Sequence, residues 1–132
     1  MKKSISIFLL TLSIFTQIAG CSKLNKTNSQ KYNISNDFKN QSIELVNEIE
    51  TSDILSNTLE TNVYSFIEDI DGNSNYTKDE QNLAMSIFNY YGQLLFVSTA
   101  KAEMNLSGDS KNYNKQKSEA DSIKKQIEQY LK

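Results

Sequence analysis

Residues 77–102 read TKDEQNLAMSIFNYYGQLLFVSTAKA, and this stretch decides the fold. It opens with a capping box: Thr77 stands where an N-cap accepts a backbone N–H, and Glu80 follows three residues later. Apolar side chains then recur every three or four residues. Leu83, Ala84, Ile87, Phe88, Tyr91, Leu94, Leu95, Ser98 and Ala102 line one broad face of a helix. Tyr90, Phe96 and Val97 fall on its other sides, so the pattern predicts a central helix over about 78–105 covered by neighbours on two sides. Gly92 lies inside it at a cost of about 1 kcal/mol relative to Ala, which close approach of another helix would explain, as would simple drift.

Outward from this helix the chain keeps helical periodicity. On the C-terminal side, Ser107-Gly108-Asp109-Ser110 is a turn, and Tyr113, Ala120, Ile123, Ile127, Tyr130 and Leu131 make the narrow apolar face of a last helix over about 110–131. On the N-terminal side, Phe38, Leu45, Ile49, Leu59, Val63, Phe66 and Ile70 follow a seven-residue alternation from Asn36 onward. Ser35 or Asn36 can cap its start. A continuous helix over 36–70 would be about 52 Å long and would outrun any partner. Thr51-Ser52-Asp53 are three poor helix formers and good caps, so a kink or break is expected there. Ile70-Asp71-Gly72 ends the segment with Gly just past it. Short loops make consecutive helices antiparallel. The expectation is therefore all-α: a small up-and-down bundle of three long helices over residues 36–132, or four if the first splits near 51–53. No strand pattern competes.

Composition agrees. The 132 residues contain no Pro, Trp, His or Arg and four Gly, so few residues break a helix. Residues 37–80 carry eleven acids and two lysines, whereas 81–132 carry seven lysines and five acids. The halves can attract one another as helices of one domain. Without Arg or a basic aromatic face, nucleic-acid binding is not expected. Without His there is no Ser-His or Cys-His catalysis and no imidazole metal site. Enzymatic function is not expected, because no motif points to Ser-Lys or paired-carboxylate chemistry.

The far N-terminus has a different character. Met1-Lys2-Lys3 is basic, and Ser4 to Gln17 is mostly apolar but too short for a comfortable membrane span. Ile18-Ala19-Gly20-Cys21 follows. These residues resemble the signal peptide and lipobox of bacterial lipoproteins, and the resemblance covers residues 1–21 only. It implies that residues 1–20 are a cleaved signal peptide and that Cys21 carries the lipid. Two or three acyl chains anchor stably, where one binds only marginally. A membrane anchor of this kind makes an envelope or secreted protein the expected partner class. In lipoproteins of double-membrane bacteria, a Ser such as Ser22 after the Cys favours the outer membrane over inner-membrane retention. Residues 22–35, SKLNKTNSQKYNIS, are polar and aperiodic and read as a flexible tether.

Two constellations invite ligands. Residues 69–80, DIDGNSNYTKDE, resemble an EF-hand calcium loop, with Asp69, Asp71, Asn73, Thr77 and Glu80 at its side-chain positions and Asn75 at its backbone-carbonyl position. Ser74 stands where that motif has Gly, Tyr76 stands where it has an aliphatic residue, and no second loop pairs with it. The same residues also read as turn chemistry followed by a capping box. The aromatics Tyr64, Phe66, Phe88, Tyr90, Tyr91 and Phe96 could line a small-ligand pocket between helices, or form plain core.

Overall fold

The computed structural model describes residues 32–132. The expected signal peptide, Cys21 as the expected lipid site and the expected tether up to Lys31 lie outside the described residues. Within them are four helices packed antiparallel and no strand: α1 (Asn36–Thr51), α2 (Asn57–Ile70), α3 (Lys78–Ser107) and α4 (Lys111–Leu131).

The boundaries fall where local chemistry places them. Ser35 caps α1, its hydroxyl accepting the Phe38 N–H at 3.3 Å. After Thr51 the chain leaves the helix through extended Ser52, and the Asp53 side chain accepts the Leu55 N–H at 3.0 Å. The split expected near 51–53 thus occurs, and α2 starts at Asn57. Gly72 (φ +70°) turns the chain out of α2. The capping box opens α3: Thr77 Oγ1 accepts from the Glu80 N–H at 3.2 Å, and Glu80 Oε2 accepts from the Thr77 N–H at 2.8 Å. Gly108 (φ +76°) closes α3, its N–H reaching the Met104 carbonyl at 2.8 Å.

At 1.5 Å per residue, α3 is about 45 Å long, α1 about 24 Å and α2 about 21 Å. This mismatch divides the molecule. α1 begins beside the start of α3 and reaches the level of Tyr90, whose hydroxyl donates to Glu50 Oε1 at 3.1 Å. α2 returns to the starting end, where Ile70 lies beside Gln81 and Ala84. Four helices therefore surround a base. Its core includes Phe38, Ile49, Leu59, Val63, Leu83 and Ile87, each worth about 1.5–3 kcal/mol of burial. Past Tyr91, where Leu94, Leu95 and Val97 still pack against the core, α3 and α4 continue as a two-helix arm that ends at Gly108.

Two details depart from simple packing. Ser42 is fully buried in the core, and its hydroxyl has no hydrogen-bond partner. Among the described residues nothing outside the local helix backbone lies within 4 Å of where a Cβ on Gly92 would sit, so no other described helix makes the close approach that would explain the glycine. The attraction between the halves is realised at one contact, Lys124 Nζ to Glu50 Oε1 at 2.6 Å. Lys117 pairs within its own helix with Asp121, at 2.9 Å. No helix among the described residues is long and apolar enough to cross a membrane.

Candidate functional site

The segment 69–80 folds as a turn and a cap. Asn73 Oδ1 accepts the Asn75 N–H at 3.0 Å, and Asn73 Nδ2 donates to the Asp69 carbonyl at 3.0 Å. Its own carbonyl accepts from Gln81 Nε2 at 3.1 Å. The Asn73 side chain is thereby spent on holding the loop. Among the described residues no three acidic side chains converge, so Asp69, Asp71 and Glu80 are not gathered about one point. Thr77 and Glu80 come together with each other and with a different segment.

That segment is Tyr32 to Ser35, which polar composition assigns to the tether. It is strapped to the bundle. Ser35 donates to Glu80 Oε1 twice, through its N–H at 2.9 Å and its hydroxyl at 2.7 Å. Thr77 Oγ1 donates to the Asn33 carbonyl at 2.6 Å, and the Asn33 N–H donates to Asp79 Oδ2 at 2.8 Å. The Tyr32 ring lies 4.3 Å from that of Tyr130, near the end of α4.

Glu80 is the centre of this junction. It is 4% exposed, and both its oxygens are occupied. It sits between the starts of α1 and α3, which are both positive ends of helix dipoles. Burial pushes its carboxyl up, but backbone and side-chain hydrogen bonds from Ser35 and Thr77 outweigh burial and hold it below its ordinary range. One carboxylate thus closes two helix ends and fixes the last residues before the body. In this arrangement it has no oxygen left to grip a cation in the two-handed manner of an EF-hand glutamate.

The aromatics do not share a pocket. Phe66 stacks on Phe38 at 5.5 Å, and Tyr64 meets Phe88 edge-on at 5.5 Å. Tyr90 and Tyr91 are buried in the core, and Phe96 is 46% exposed. A water-sized cavity lies between α2 and α3, lined by Ile67, Ile70, Gln81, Ala84 and Met85 with Asp71, and none of the six aromatics reaches it. The Tyr90–Glu50–Lys124 cluster is a brace rather than a reactive centre. Burial and then the Glu50 charge push the Tyr90 hydroxyl up, so it stays a proton donor. Its hydrogen bond to Glu50 likewise raises Lys124 and keeps it a cation.

Sequence reasoning found the Thr77–Glu80 box and offered Ser35 or Asn36 as the α1 cap, of which the structure shows Ser35; these are local signals. It missed Asn33, Asp79 and the Tyr32–Tyr130 pair, which meet only in the folded chain. No family model, curated protein or solved structure matches this chain.

Proposed function

We propose that this chain is a lipid-anchored protein of the bacterial envelope, and that its helical body serves as a non-enzymatic protein-binding or structural module. The observation that carries the reading is Ile18-Ala19-Gly20-Cys21 behind a basic start and a short apolar run. A lone cysteine at that position is accounted for by lipid attachment, and no disulfide competes for it. The expected partner is another envelope or secreted protein, with the outer membrane favoured in a two-membrane cell by Ser22.

The chain coming from Cys21 meets the bundle at the Glu80 junction, where α1 and α3 begin and α4 ends. The arm leaves from the opposite end of α3. The N-terminal entry to the body and the arm tip thus lie at opposite ends of α3.

Metabolic labelling with an alkyne fatty acid tests the anchor. The wild-type chain should take up the label and fractionate with membranes, and Cys21→Ser should lose the label. An unlabelled wild-type chain, or a Cys21→Ser chain that keeps its label, refutes the reading.

A further inference from the structure

The arm has the form of a four-helix bundle with two helices missing. Ala84 and Phe88 on α3 face α2: Ala84 shares the small cavity with Ile67 and Ile70, and Phe88 meets Tyr64. Eighteen residues are about five full turns at 3.6 residues per turn. Ala102 and Leu106 therefore repeat the positions of Ala84 and Phe88, above the point where α2 begins. Among the described residues nothing covers them there, and both are exposed. The two most exposed large hydrophobic side chains of the described residues mark the two ends of this open face: Leu55, 69% exposed, in the α1–α2 turn at its foot, and Leu106, 90% exposed, in the last turn of α3.

Charge differs between the same two ends. Around the foot stand Glu48, Asp53 and Glu60, beside Glu50, which is already paired with Lys124. Around the tip stand Lys101, Lys111 and Lys115, with Glu103 and Asp109.

We propose that the open face is filled by the arm of a second copy of this chain, running antiparallel about a two-fold axis across the helices. The operation sets Leu106 of each copy on Leu55 of the other, and the basic tip of each against the acidic foot of the other. It makes both contacts twice, as an isologous interface requires. The space left above α1 and α2 is two helices wide and as long as the arm, which is itself two helices wide. The face measures about 24 Å by about 20 Å from helix rise and interaxial spacing. Two such faces bury on the order of 1,000 Å², at the small end of specific interfaces, so the association is concentration-dependent. The pairing does not rest on the anchoring of Cys21.

Disulfide trapping tests it on the full chain in detergent. Leu55→Cys and Leu106→Cys are made separately, mixed, oxidised, and the linked peptides identified by mass spectrometry. Within one chain the two positions lie about 22 Å apart along α3, too far for a bridge, which needs Cα atoms within about 7 Å. The mixture should yield dimers linked 55 to 106, at least severalfold above either variant alone. Leu106→Glu should shift the otherwise unaltered chain to monomer at every concentration, with its Tm equal to that of the wild type at concentrations too dilute for the wild type to dimerise. Links of 106 to 106, links no more frequent than in the single variants, a chain that sediments as monomer throughout, or a Leu106→Glu chain that still dimerises would each overturn the proposal.

Discussion

The base and the arm share α3 and α4 yet are held together by different means. In the base, side chains from all four helices close on one another, and Leu83 and Ile87 are fully buried. In the arm a single side chain, Ala100, is buried (2% exposed), and it lies outside the core cluster. Leu94, Leu95 and Val97 are only partly buried there, and amides also join the two helices. Gln93 Nε2 donates to Gln116 Oε1 at 2.7 Å and to Glu119 Oε2 at 3.3 Å, and Asn112 Nδ2 donates to Glu103 Oε2 at 3.0 Å. Such exposed polar contacts contribute about 1 kcal/mol each at most, against about 1.5–3 for each buried aliphatic side chain. The difference teaches that helix length and helix packing are set separately. α3 is helical for thirty residues because nothing in it breaks a helix, while only its first half is paid for by burial.

The strongest way to break this division is a pair of truncations. Leu83→Ala should destabilise the fold by about 3 kcal/mol, because a cavity opens where four helices meet. Leu106→Ala should change stability by less than about 0.5 kcal/mol. Thermal unfolding followed by circular dichroism reads both, and equal shifts would mean that base and arm are not different regions.

Acid sharpens the comparison next. The folded carboxyl of Glu80 lies below its ordinary value of 4.5, so the stability it lends is present above that value and is lost as pH falls through the folded pKa. Glu80→Gln should cost about 1.5–3 kcal/mol at neutral pH through its charge-assisted hydrogen bonds and flatten the acid side of the stability profile. Amide exchange should quicken at Asn33 and Ser35 while the arm stays as it was. An acid slope unchanged in Glu80→Gln would show that other carboxylates control the base.

A smaller effect than at Leu83 or Glu80 is expected at the border between the regions. Gly92→Ala should raise stability by about 1 kcal/mol, because a helix-interior glycine is relieved and no neighbour stands in the way. Amide exchange beyond residue 92 should slow in step. A loss of stability instead would reveal a contact at Gly92 that the isolated chain does not make.

How much of this was legible in the sequence depends on distance along the chain. The break after Thr51, the Gly72 and Gly108 exits and the Thr77–Glu80 box are written within four or five residues, and each was readable. The second role of Glu80 was not, because its partner Ser35 is 45 residues away and looks like any other polar tether residue. The loop 69–80 was ambiguous for a chemical reason. Asp, Asn, Thr and Glu oxygens serve a cation or a helix cap equally well, and only the placement of the Glu80 carboxylate tells the uses apart. The apolar face of α3 was legible in full, but its extent hid the fact that α1 and α2 stop about halfway along it.

The Glu80 junction also dictates an order of events. A chain made from its N-terminus presents Ser35 first and Glu80 only after 45 further residues. Until then α1 has its own Ser35 cap but nothing to dock its start against. The strap must therefore close late, after α3 has begun to form.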